Sequence, residues 1–184
     1  SPFLPLCSFL HIPNLTILEG WANFKDEHTV SVGDHTYTAT AFLIATGSKT
    51  NIPTINGLEE VGYLTNISLF EMEELPQSLT ILGAGYIGLE IAMAYNRLGA
   101  KVRLLEYSDR VLRSQTKDIS SEIEKHMEAE GISFFPNYRI DEVKRSASGE
   151  IVIKGKVAKT GMPFEMRESG HLVVATGTKP NTDN

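Results

Sequence analysis

The spacing of apolar positions along the 184-residue chain changes character twice. From residue 15 to residue 46, three short stretches (15–24, 29–32 and 36–46) read as β-strands, with the polar breaks KDEH and VGDH between them, and predict a small antiparallel meander. The third stretch runs into the continuous apolar segment AFLIATG, after which TNIPTING reads as a linker and residues 59–78 as a polar connection. At residue 79 the pattern becomes that of a layered α/β unit. LTILGAG is a short buried strand, and Ile87, Ile91, Ala94, Tyr95 and Leu98 recur at helical spacing, with Gly99 placed to end the helix. KVRLLEY is a second strand, residues 118–131 a second helix, and ISFFPN a third strand, an order that makes half of a doubly wound dinucleotide fold. Residues 139–166 return to short strands with a Ser-Gly turn, an inserted meander, and HLVVATGTKP brings a last buried strand back to the sheet. Ala-Thr-Gly ends two apolar runs, at 45–47 and 175–177, the nearest approach to an internal repeat.

The turn between the first strand and first helix of the α/β unit carries Gly83, Gly85 and Gly88 as Gly-x-Gly-x-x-Gly. In such a turn the first glycine permits the tight bend, the second lets a pyrophosphate approach the backbone, and the third lets the helix pack on its strand. Three glycines alone also fit an ordinary turn. The flanking strand and helix, with Glu106 ending the next strand some 20 residues on, favour a dinucleotide site, in which that carboxylate accepts hydrogen bonds from the adenine ribose. A carboxylate there repels a 2′-phosphate, so NAD is favoured over NADP. Arg110 and Arg113 follow in YSDRVLR, placed either to reach a phosphate or to remain solvated.

Composition narrows the classes. Hydrophobic residues at 41% and charged residues at 22% are those of a globular protein, and a net charge of −6 argues against nucleic acid or an anionic membrane surface as a partner. No apolar run approaches the roughly 20 residues of a membrane-spanning helix. The start, SPFLPLCSFL, does not fit a secretory signal and reads as the cut edge of a longer protein. The lone Cys7 allows no internal disulfide and suits a reducing, cytoplasmic setting. No metal-ligand cluster has usable spacing, so no metal is expected.

LTILGAGYIGLEIA, LIATGSKTNIPTING and LVVATGTKPNTDN, in this order and spacing, resemble the pyridine nucleotide-disulfide oxidoreductases, the family of lipoamide dehydrogenase, glutathione reductase and mercuric reductase. The resemblance covers all but about the first dozen residues. It implies that residues 1–60 close the first segment of an FAD domain and that residues 65–184 form an NAD(P)H domain of a homodimeric flavoprotein. On that basis Thr46, Gly47 and Ser48 match the FAD-contacting turn, Gly177 a turn beside the nicotinamide nucleotide, Ile87 a part of the glycine-loop motif, and Ile140 an apolar residue beside the adenine; Arg113 is read as a phosphate neighbour from its place in YSDRVLR alone. Tyr86 matches a residue that covers the nicotinamide pocket, and Glu90 a glutamate that pairs with a lysine near the flavin.

The departures matter equally. The family's first FAD-binding glycine turn and its redox-active Cys pair do not match any part of this chain, and Cys7 reads as a small apolar residue. His11, His28, His35, His126 and His171 do not match the family's catalytic histidine, so no catalytic residue is expected here. The parent is expected to be an enzyme, with this chain binding nucleotide and not turning over by itself. A piece of a related NADH oxidase or peroxidase, and a stand-alone nucleotide-binding regulatory module, are the alternatives. Residues 1–60 are expected to be less ordered than the rest, because their apolar faces suit partners from the remainder of an FAD domain.

Overall fold

The computed structural model describes residues 12–182; Cys7 and His11 lie outside the described residues. The chain divides into two compact units, Ser1–Ala45 and Thr46–Asn184. The described part of the first unit is an antiparallel meander of β1 (Ala22–Asp26), β2 (Thr29–Val32) and β3 (His35–Thr38), with Val30 between Phe24 and Tyr37. The Phe24 ring meets Phe42 edge-on at 5.0 Å. The strands are shorter than their apolar runs suggested. Residues 15–21 and 39–46 are not strand: β3 ends where the Ala39 N–H donates to the His28 carbonyl at 3.0 Å, and no ladder partner follows among the described residues. Leu43, within the expected strand, is 94% exposed.

The second unit begins with β4 (Ser48–Thr50), α1 (Leu58–Val61) and a 3₁₀ turn, Ser68–Glu71. Then come β5 (Ser78–Leu82), α2 (Tyr86–Arg97), β6 (Lys101–Glu106), α3 (Lys117–Ala129) and β7 (Ser133–Pro136). The chain continues through β8 (Tyr138–Arg145), β9 (Ile151–Val157), β10 (Pro163–Glu168), β11 (His171–Val174) and β12 (Thr178–Pro180). Strands β11, β5, β6 and β7, in that order, make a parallel sheet, and β10, β9 and β8 an antiparallel one.

Alternation along the parallel strands builds two cores. Leu79, Ile81, Val102, Leu104 and Val173 face α2 and α3, while Leu82, Leu105, Leu172 and Val174 pack with Val143, Ile151 and Ile153 of the antiparallel sheet. The doubly wound expectation is corrected in this respect: α2 and α3 cover one face, and the inserted meander with the short α1 covers the other. Helix α2 buries Gly88, Leu89, Ile91, Ala92 and Tyr95, whereas Ala94 and Leu98 of the expected stripe are exposed. Gly99 does end the helix, at φ +100 with its N–H on the Asn96 carbonyl at 3.0 Å.

Residues 46–64 belong to the second unit, so the compact units part earlier than the boundary expected near residue 60. The cause is hydrogen bonding: β4 pairs with β12, Asn56 bridges to Glu142, and Leu64 exchanges bonds with Leu172 and Val174, each at 2.8 Å. The stretch expected to be only a polar connection also contributes apolar anchors, since Leu69 is fully buried and its carbonyl accepts the Tyr95 hydroxyl.

One carboxylate fastens the two sheets. Glu168, at the end of β10, is 1% exposed and accepts hydrogen bonds from Ser78 Oγ, from Thr80 Oγ1 at 2.6 Å, from the Gly170 N–H at 2.7 Å and from Arg103 at 2.9 Å. Burial pushes its carboxyl pKa up, but the donors from Ser78, Thr80, Arg103 and Gly170 together outweigh it and hold the group below the ordinary value of 4.5.

Candidate nucleotide-binding site

The β5–α2 turn and the residues after β11 meet at the carboxyl edge of the parallel sheet, where strand order changes direction and open α/β sheets bind ligands. Gly83 sits at φ +101, and a Cβ on it would lie 2.5 Å from the Ala175 carbonyl oxygen. A Cβ on Gly88 would lie 2.0 Å from the Gly83 carbonyl oxygen, so this glycine lets α2 close on the turn. Gly85 differs. Its φ of −79° suits any residue, and a Cβ there meets no atom within 4 Å. The backbone at Gly85 therefore borders open space, and α2 starts there with no side-chain cap and no acid in its first turn. Its first amides are left free for an anion.

Glu106 closes the other side of the turn. One carboxylate oxygen accepts the Ala84 N–H and the other the Ser108 N–H, both at 2.7 Å. The following loop docks on the same place, because buried Leu112, at φ +44, donates its N–H to the Ala84 carbonyl at 2.9 Å. That left-handed conformation costs a leucine energy, which the burial and the hydrogen bond offset. Further along the loop, Gln115 Nε2 donates to the hydroxyl of Tyr86, whose side chain stays largely exposed.

These elements enclose a cavity of about 640 Å³, within the range of small-molecule sites. Gly83, Gly85, Tyr86, Ile87 and Glu106 line it, as do Arg113, Ile140 and Gly177. Gly88 lies behind the turn. Arg110 does not line the cavity; its guanidinium bonds the Arg113 carbonyl at 3.0 Å and reaches Asp109 at 3.4 Å. Glu90 is exposed on α2 away from the cavity. Thr46, Gly47 and Ser48 are also elsewhere, exposed where the chain enters β4; there the Thr46 hydroxyl donates to the Asn181 carbonyl at 2.9 Å and the Asn181 N–H to the Gly47 carbonyl at 3.0 Å.

Comparison with known proteins shows the family of the chain. The family model described as pyridine nucleotide-disulphide oxidoreductase matches residues 8–184. The chain belongs to this family. It is 38% identical to a mercuric reductase from Lysinibacillus sphaericus over 93% of the chain and 31% of that protein. It is 31% identical to a glutathione reductase from Nostoc over 96% of the chain and 37% of the relative. Among solved structures, the HOCl-induced flavoprotein disulfide reductase RclA from Escherichia coli superimposes with a TM-score of 0.74 at 26% identity, covering 98% of this chain and 41% of its own. The chain thus spans about a third of the length of the curated relatives it matches.

In the structure the glycine turn and Glu106 stand together on the cavity wall, joined through the Ala84 N–H. What the motif did not mark is the opposite wall. Pro53, Thr54 and Ile55, expected to be linker, line the cavity, as do Leu112 and Thr176. Pro53 fixes its own φ, and Ile52 and Ile55 are apolar, which were the available signals that the segment packs. Nothing in the local sequence marks Leu112 for a positive φ.

Proposed function

We propose that the second unit binds NAD(P)H, with NADH favoured, and that in a full-length flavoprotein it presents the nicotinamide to FAD. The observation that carries this reading is the open space at Gly85 beside uncapped helix amides, in a turn whose other two glycines have no room for a side chain. The residues fit a dinucleotide. Amides at the start of α2 suit the pyrophosphate, Glu106 keeps lone pairs for ribose hydroxyls beyond its two backbone donors, and Ile140 offers apolar surface to the adenine. Glu106 disfavours a 2′-phosphate, while Arg113 on the cavity wall tempers that preference.

The chemistry supplied by a bound nicotinamide is hydride donation, received by the flavin N5 of the parent enzyme. Tyr86 screens the cavity mouth from water, Glu90 meets a lysine of the FAD domain, and Gly177 leaves room beside the nicotinamide nucleotide. The Thr46–Ser48 turn contributes to FAD binding, and the parent acts as a homodimer. With Cys7 its single cysteine, the chain has no Cys pair to accept electrons and is proposed to bind nucleotide without turnover.

Calorimetric titration with NADH and with NADPH, beside a Gly85→Val variant, tests the reading. NADH binding that the variant loses, tighter than NADPH binding, is the expected result. Equal heats from wild type and variant, or none from wild type, would overturn it.

A further inference from the structure

We propose that Gln115, which does not line the cavity, is a positioning residue for the nucleotide: by holding the Tyr86 hydroxyl it fixes where Arg113 stands on the cavity wall. The inference rests on the NAD(P)H reading above and adds to it a residue outside the cavity. Residues 107–116 connect β6 to α3, and α3 holds this loop from behind. The Val111 N–H donates to Glu124 Oε1 at 3.1 Å, and the Ser120 hydroxyl to the Val111 carbonyl at 2.7 Å. Two other hydrogen bonds join the loop forward, to the glycine turn and α2. One is main-chain, from the Leu112 N–H to the Ala84 carbonyl at 2.9 Å; the other runs from Gln115 Nε2 to the Tyr86 hydroxyl.

Arg113 and Ser114, the residues between these two fastenings, are exposed and line the cavity. The Arg113 guanidinium has no hydrogen-bond or ion-pair partner among the described residues, so it is a cation free to take a phosphate oxygen. Its backbone is held meanwhile. The Arg113 carbonyl accepts Arg110 Nη2 at 3.0 Å, and the Gln115 N–H closes a turn on the Leu112 carbonyl at 2.7 Å. Tyr86 opens α2 directly after Gly85, so the Gln115 bond ties the loop to the helix end whose amides are free. Tyr86 is 56% exposed, so little packing duplicates this bond. Cation and amides thereby keep a fixed separation before ligand arrives, which lowers the ordering cost of binding.

The test is a double-mutant cycle on the whole chain, with NADH affinity read by calorimetry. Gln115→Ala and Tyr86→Phe break the same bond from its two ends, so each is expected to weaken NADH about fivefold. The double variant should be no weaker than either single one. Wild-type affinity in Gln115→Ala, or single losses that add in the double variant, would overturn the tie. In an Arg113→Ala background Gln115→Ala should cost nothing further; a second fivefold loss there would show that the bond does not act through Arg113. Hydrogen exchange of the unliganded chain supplies a readout independent of binding. Faster exchange at the Leu112 and Gln115 amides is expected in Gln115→Ala, and unchanged exchange would overturn the fastening even where affinity fell. NADH binding by wild type with any of these contrary results leaves the nucleotide reading intact, whereas no NADH binding by wild type would overturn both.

Discussion

Gly85 and Gly88 stand three residues apart under opposite constraints. Behind Gly88 there is no room: a Cβ would press on the Gly83 carbonyl oxygen, and the backbone must move to admit it. Gly88→Ala is therefore expected to cost about 3 kcal/mol of stability, read from a denaturant midpoint at unchanged slope. Gly85→Ala should leave that midpoint where it is, because its conformation suits alanine and its surroundings are open, yet weaken NADH by at least about tenfold. If both variants lost stability equally, the open space at Gly85 would have no functional meaning. Glu106 carries a related consequence. Since it also holds the Ala84 and Ser108 amides, Glu106→Ala should weaken NADH and fail to produce a good NADPH site, with faster exchange at the Ala84 amide in the unliganded chain. A clean swap of preference with no change at Ala84 would contradict the second role.

At the scale of elements, Glu168 joins β10 to β5 and β6. Its folded-state pKa is held below the ordinary 4.5, so its contribution to stability is complete above that value and is lost as pH falls through the folded pKa, where the native state must take up the proton. Acid unfolding should accordingly set in below about pH 4.5, and Glu168→Gln should flatten the acid limb of stability against pH. Glu168→Ala, which leaves Ser78 and Thr80 without their acceptor and Arg103 with only the Arg167 carbonyl, is expected to cost about 3 kcal/mol by thermal or urea unfolding at neutral pH. An unchanged acid limb in the glutamine variant would place the acid sensitivity elsewhere. The lowered pKa values of Asp118, Glu130 and Glu165, set first by side-chain hydrogen bonds from Thr116, Arg97 and Lys154, act in the same direction, but Asp118 and Glu165 are solvent-exposed and Glu130 half-buried, so solvent screens them.

At the scale of the molecule, every cavity-lining residue named above lies in the second unit. Residues 46–184 expressed alone are expected to unfold cooperatively and to bind NADH with the affinity of the whole chain; loss of either property would show that the first unit contributes to the site. Much of this unit was legible in the sequence. Period-two and period-3.6 patterns set β5, α2, β6, α3 and β7 in order, and the glycines with Glu106 marked the turn, because each of those signals is local: a backbone angle, a helix face, or an acid at a strand end. The strands expected at 15–24 and 36–46 came out shorter because a strand needs a partner, and residues 15–21 and 39–46 have none among the described residues. The segment 51–57 read as a linker because its partners, Thr176, Gly177 and Val143, lie about 90 to 125 residues further along the chain. The sequence by itself determined the succession of strands and helices from residue 79 to residue 136, the glycine turn and the acid at the next strand's end, all consequences of local sterics and periodicity. Only the tertiary structure decided that a meander covers the second face, that Glu168 is buried with four donors, that Pro53, Thr54 and Ile55 line the cavity, and in what order the parallel strands lie, since each depends on which distant groups are left to satisfy one another once the sheet has formed.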